Sequence, residues 1–176
     1  MMRTRSLFTI AILTTALAGC QVNEVDQQQA EPEANATTPA EAAASPAPAN
    51  EPPLALAAAD PALQWGPCPE GMPQGCGIAV LHGDPAKPNA DIFLRVPGGS
   101  TIPAHSHSSA ERMILVTGEL EVKYDGAPAA TLRSGHYAYG PAKRPHLANC
   151  RSTEPCTLFI AFEGPVDVLP FQGELN

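Results

Sequence analysis

His105 and His107 stand one residue apart, Glu111 follows four residues later, and His146 lies farther along the chain. In a β-strand, residues i and i+2 project from the same face, so the first two imidazoles point the same way. Two imidazoles on one face can share one metal ion, and Glu111 on the next turn can add an oxygen ligand. His146, in a second strand after the turn Gly140-Pro141-Ala142-Lys143-Arg144-Pro145, offers a third imidazole. Three imidazoles and one carboxylate suit a borderline divalent ion such as Zn, Mn, Fe, Co or Ni. The plainer alternative for an isolated His-x-His is a polar turn with solvated side chains. No Ser-His-Asp arrangement and no phosphate-cradling glycine loop offers a different chemistry, so no catalytic residue beyond the metal ligands is named.

Other side chains invite weaker assignments. His136 reads as a surface residue and His82 as a loop residue. Tyr137 and Tyr139 share one strand face; core packing is the expected use, with cavity lining as the alternative. Lys143 and Arg144 read as a solvated turn, with attraction of an anionic substrate as the alternative. Arg112 is expected to face away from Glu111, and Trp65 to cap the folded unit.

These residues need strands to position them. From residue 64 onward, short β-type runs alternate with turn signals: Ile78–Leu81, Asp91–Val96, Thr101–His107, Arg112–Thr117, Glu119–Tyr124, Ala130–Leu132, Tyr137–Tyr139, His146–Asn149, Thr157–Glu163 and Val166–Leu169. Leu120, Val122 and Tyr124 alternate with Glu119, Glu121 and Lys123, as in a half-buried strand. Ile114-Leu115-Val116 and Leu158-Phe159-Ile160 read as fully buried. Many short strands without a long helical pattern predict an all-β sandwich or barrel. Cys68, Cys76, Cys150 and Cys156 allow three pairings. The local one, Cys68–Cys76 and Cys150–Cys156, is preferred because each bridge closes a short loop in an exported chain. Cys150 as a metal ligand is the competing reading.

The export signal is at the N-terminus. Arg3 and Arg5 precede an apolar run, Leu7 to Leu17, too short to span a bilayer. It ends in Leu17-Ala18-Gly19-Cys20, which resembles the lipobox of bacterial lipoproteins. That resemblance implies removal of residues 1–19 as a signal peptide and lipid attachment at Cys20. Gln21 after it, rather than Asp, implies a lipid-anchored place in the cell envelope, at the outer membrane facing the periplasm rather than the inner membrane. Residues 20–63 are rich in Ala, Pro and Glu and carry no aromatic, Lys or Arg. Such a segment cannot bury enough apolar surface to offset its ordering entropy and reads as a disordered tether. The formal charge is −8, and most of it belongs to this tether. The part from 64 to 176 is nearly balanced and shows no basic face, which argues against nucleic acid.

The histidine segment resembles the first motif of the cupin superfamily. Gly99, five residues, His105, Ser106, His107, three residues, Glu111, six residues and Gly118 fit it without a gap. The second motif fits less completely through Gly135, Pro141 and His146; Lys143 stands where glycine is usual, and Cys150 where asparagine is usual. The resemblance implies a cupin-type jelly-roll β-barrel, a double-stranded β-helix, over 64–176. It also implies a metal held by His105, His107, Glu111 and His146, and it carries dimerisation by edge strands as a family expectation. Activities among such cupins range over dioxygenases, isomerases, decarboxylases, sugar or ligand binders and sensors. The leading expectation is a metalloenzyme, oxygenase-like, acting on a small organic substrate. The alternative is a non-catalytic metal-binding or ligand-binding sensor displayed at the membrane surface. A metal used only for stability is a third possibility. The sequence names neither the metal nor the substrate.

Overall fold

The computed structural model describes residues 51–176. The expected signal peptide, Cys20 and the tether as far as residue 50 lie outside the described residues. Among the described residues there are eleven strands and no helix. In chain order they are β1 (Trp65–Pro67), β2 (Gly77–His82), β3 (Ala90–Val96), β4 (Thr101–Ser106), β5 (Glu111–Thr117), β6 (Glu119–Tyr124), β7 (Ala130–Arg133), β8 (Tyr137–Gly140), β9 (His146–Cys150), β10 (Cys156–Phe162) and β11 (Leu169–Pro170). They form a six-stranded sheet, β1-β2-β3-β10-β5-β8, and a five-stranded sheet, β11-β4-β9-β6-β7. All pairings are antiparallel. From β3 to β6 and again from β7 to β11 the chain passes from one sheet to the other at each step, so consecutive strands face each other across the core in a jelly roll.

Side-chain alternation explains why these segments pair as they do. In β6, Leu120 and Val122 are buried while Glu119, Glu121 and Lys123 are only half-buried. Ile92, Leu94 and Val96 of β3 meet Leu158 and Ile160 of β10 and Met113 and Leu115 of β5 in the interior. Burying such side chains stabilises the fold by roughly 1.5–3 kcal/mol each. The expected strands are found within a residue or so of their predicted bounds, apart from the last, which shortens to Leu169–Pro170. β1 is additional. Its sequence Trp-Gly-Pro is short and proline-bearing, as tolerated only at a sheet edge.

Several expectations are corrected. Residues 51–63, assigned to the tether, include a stretch packed on the six-stranded sheet. Leu63 is buried with Ala79 and Phe93, and Leu56 and Ala58 pack against that cluster. Strand β3 presents apolar side chains to both faces, so its outer face also needs a cover. Arg95 donates to the Ala58 carbonyl at 3.0 Å and stacks over Trp65 at 3.8 Å. Trp65 therefore belongs to this outer layer and does not cap the barrel. Ile114, expected to be buried, is 40% exposed, while Leu115 is fully buried. Strand alternation turns one in and the other out. Tyr137 and Tyr139 on β8 are exposed rather than core, because Ala138 and Gly140 are the β8 residues that face inward.

The cysteines pair locally. Cys68 bonds Cys76 across a Cα distance of 5.6 Å, and Cys150 bonds Cys156 across 5.8 Å. The second bridge ties the end of β9 to the start of β10 inside the core, and its sulfurs are used up, which removes Cys150 as a metal ligand.

Candidate metal centre

His105 enters the interior through an irregularity in β4. Ile102 pairs with Ala148 and His105 with His146, so three steps on β4 match two on β9. The extra residue falls at Pro103-Ala104, and Pro103 has no N–H to donate to a ladder. The bulge turns Ile102 and His105 to the same interior side. It also leaves the Pro103 carbonyl free to accept from His105 Nδ1 at 2.7 Å. His107 lies just beyond β4, and its Nδ1 donates to the Asp167 carbonyl. His146 opens β9, and its Nδ1 donates to the Arg144 carbonyl at 3.2 Å. A carbonyl can only accept, so each ring carries its proton on Nδ1 and leaves the Nε2 lone pair bare.

The three rings converge. Their centroids are 4.9 Å apart for His105–His107, 4.2 Å for His105–His146 and 5.2 Å for His107–His146. One nitrogen from each lies within 4.8 Å of the others, as a shared metal ion requires. Glu111, the first residue of β5, brings its carboxylate to this cluster. Oε2 is 3.4 Å from His107 Nε2, and Oε1 is 3.3 Å from His146 Nε2. All four side chains are buried. Burial lowers the pKa of His105 to about 4 and that of His146 to about 3, and also lowers that of His107. It pushes Glu111 up to about 8.

The donor set fits a divalent cation. Three bare imidazole nitrogens face one another, and the buried Glu111 Oε1 has no hydrogen-bond partner. Leaving a buried polar atom unpaired is costly, and one cation beside these atoms would relieve both features. Gly140 makes room for the carboxylate, since a Cβ there would sit 2.6 Å from Glu111 Oε1. The departures from the family motif are benign. Lys143 adopts the left-handed conformation usual for glycine, with φ 60°, and its N–H donates to the His107 carbonyl at 2.8 Å. Asn149, one residue before Cys150, accepts from Thr101 Oγ1 at 2.8 Å across the β4–β9 pair.

Other expectations resolve individually. Arg112 turns away from Glu111 to pair with Glu163. His136 is exposed, and His82 pairs with Glu51 at the surface. Arg144 donates to the Asp125 carbonyl, and neither it nor Lys143 lines the cavity. Sequence reasoning missed Asp167, whose carbonyl reaches His107 from sixty residues away. No local signal marks it. It also missed Tyr124, whose ring centroid is 5.0 Å from that of His146 and whose hydroxyl pKa is raised by burial and by the neighbouring Glu111. The alternation of β6 carried that signal, because Tyr124 shares the inward face with Leu120 and Val122.

The cluster opens into a cavity of about 50 Å³ walled by apolar residues of both sheets, with Met72 from the Cys68–Cys76 loop at one side. A neighbouring void of about 270 Å³ shares Met72, His105 and Val168 with it.

No curated protein matches the sequence. Among solved structures, the chain is similar to the DMSP lyase DddQ from Ruegeria pomeroyi DSS-3, with 21% identity, 64% of each chain covered and a TM-score of 0.54. It is also similar to a structure from work on the DMSP lyases RdDddP and RnDddQII, with 19% identity, 62% of this chain and 63% of that chain covered and a TM-score of 0.55. In both cases it spans just under two thirds of the other chain, and at these identities the likeness is one of fold. An RmlC-like cupin from Shewanella frigidimarina NCIMB 400 matches at 19% identity, covering 60% of this chain and 86% of that one, with a TM-score of 0.49. The cupin domain family matches residues 92–162, the stretch that carries all four clustered side chains, and that stretch is a cupin domain.

Proposed function

We propose that this protein is a metal-dependent cupin that acts on a small organic molecule, with oxygenase-like chemistry, while tethered to the cell envelope through a lipid on Cys20. The observation that carries the metal part is the arrangement of Nε2 atoms. Three imidazoles have their Nδ1 protons committed to the Pro103, Asp167 and Arg144 carbonyls, and their remaining lone pairs meet beside Glu111. His105, His107, His146 and Glu111 would hold the ion. A bound divalent ion would supply Lewis acidity and one or two open positions for water, dioxygen or substrate. The chain's own contribution is orientation and exclusion of water. The backbone carbonyls fix the ring planes, Gly140 leaves space for the carboxylate, and Met72 and Phe162 help close the cavity wall.

Element analysis tests this directly. The full chain should contain about one divalent ion, lost in His107→Ala and His146→Ala while the β-sheet circular dichroism is kept. Loaded with manganese(II), it should enhance water-proton relaxation through an open coordination position. A bound ion with no such enhancement would indicate a closed, purely structural site, and retention of metal by both variants would sink the ligand assignment. The envelope part rests on Leu17-Ala18-Gly19-Cys20. Cys20→Ser should move the protein from the detergent phase to the aqueous phase on partitioning.

A further inference from the structure

The cavity beside the histidines has an unusual lack of polar reading groups. Fifteen of its twenty lining residues are Met, Ile, Leu, Val, Ala, Pro or Phe. The other five are the four clustered side chains and Asp167. Among the described residues, no Lys, Arg, Ser, Thr, Asn or Gln reaches it. The cations among the described residues lie away from the cavity wall. Lys87 pairs with Asp84, Arg112 with Glu163, Arg133 with Glu119 and Arg151 with Glu121. Arg95, Lys123 and Arg144 donate to backbone carbonyls, and Lys143 is exposed.

This decides what charge the ligand can carry. An ionised group moved from water into an apolar cavity without a partner costs several kcal/mol. A divalent ion held by one carboxylate would leave a net charge of about +1, enough to hold one oxygen donor, and among the described residues no second cation lines the cavity to receive another charged group. Asp167, the other charged group at the wall, is itself anionic, and its carboxylate accepts from the Ser108 N–H at 3.0 Å. Size points the same way: about 50 Å³ is room for roughly three or four water-sized groups.

Building on the metal-centre reading, we infer that the ligand of this site is a small, mainly apolar molecule with a single oxygen donor and no second charged group, of the ketone, alcohol or monocarboxylate class. Dicarboxylates and phosphate esters are excluded. The donor oxygen faces the histidine cluster, and the hydrocarbon part lies against Ile92, Met113, Leu158 and Phe162. Selection is by the absence of a counter-charge, so a cation placed at the wall should change it. Val168 is the place for one, because it is half-buried and borders both the inner cavity and the adjoining void.

The test uses the full chain loaded with cobalt(II), whose visible bands report ligands entering the metal's surroundings. Titration with acetone and 2-propanol, each of four heavy atoms, should shift those bands saturably, at least tenfold more tightly than succinate or inorganic phosphate. Val168→Lys should narrow that gap by tenfold or more by strengthening succinate. If the chain takes up no cobalt, the metal-centre reading itself fails and the ligand class falls with it. If cobalt binds but succinate or phosphate matches or exceeds the neutral compounds, the metal centre stands and the inference is overturned. The inference is likewise overturned if the neutral compounds leave the bands unmoved, or if Val168→Lys brings no gain for succinate.

Discussion

Glu111 holds a proton in the metal-free domain at neutral pH, because burial raises its pKa to about 8, whereas a ligating carboxylate must be bare. Its folded value lies above the ordinary 4.5, so the stability it contributes is complete below about pH 4.5 and is lost as pH rises through 8. The histidines run the other way. Burial holds His105 near 4 and His146 near 3, so their contribution is present above about 6.5 and lost as pH falls through those values. Between the two limits the imidazoles are already neutral and do not compete with a metal for protons. Metal binding at pH 7 should therefore release about one proton, traceable to Glu111. Calorimetry in buffers of different ionisation enthalpy measures it, and the release should vanish in Glu111→Gln. Affinity should rise with pH up to about 8 and then level off. Release of no proton by the native chain would remove Glu111 from the ligand set.

The elements show which parts of this arrangement were legible in advance. Strand positions were, because alternation in Leu120, Val122 and Tyr124 and the turn residues between runs are local signals. The four clustered side chains were legible for a different reason: their spacing fits a family motif, and strand periodicity alone could not have brought His146 to them. The bulge at Pro103-Ala104 was not foreseen, yet it sets His105 opposite His146. A bulge depends on the register of a partner strand, which sequence spacing does not encode. Burial of whole runs was also misjudged. Ile114 and Leu115 are equally apolar, and only the sheet's sidedness separates them. The Cys150–Cys156 bridge gives a test at this scale, since it anchors the far end of the strand that His146 begins. Cys150→Ser with Cys156→Ser should lower unfolding free energy by about 2–3 kcal/mol, read from urea denaturation. Metal content should remain near one ion per chain, because the sulfurs take no part in binding. Loss of metal from a still-folded double variant would show that the bridge is needed to position His146.

At the scale of the molecule, the two faces of the six-stranded sheet do different work. Its inner face closes the cavity with Ile92, Leu94, Leu158 and Ile160. Its outer face carries Phe93, Phe159, Ala79 and Val116, and the stretch from Leu56 to Trp65 packs over them. The tether boundary was drawn too late in the sequence because this stretch is Ala- and Pro-rich and lacks strand periodicity. Its order comes from the surface it covers, which the segment's own composition does not reveal. Truncation therefore has a specific consequence. A chain beginning at Gln64 loses Leu56, Ala58 and Leu63 and uncovers Phe93, whereas one beginning at Glu51 keeps them. Exposing a phenylalanine and losing a buried leucine should cost about 3–5 kcal/mol together, a fall in Tm of order 10–20 °C. Metal stoichiometry should be equal in the two chains at low temperature, because the cluster lies on the opposite face of the sheet. Differential scanning calorimetry and element analysis on the pair distinguish the outcomes. Equal melting would show that the stretch adds nothing to the domain, and loss of metal from the shorter chain alone would show that the outer layer helps hold the site together.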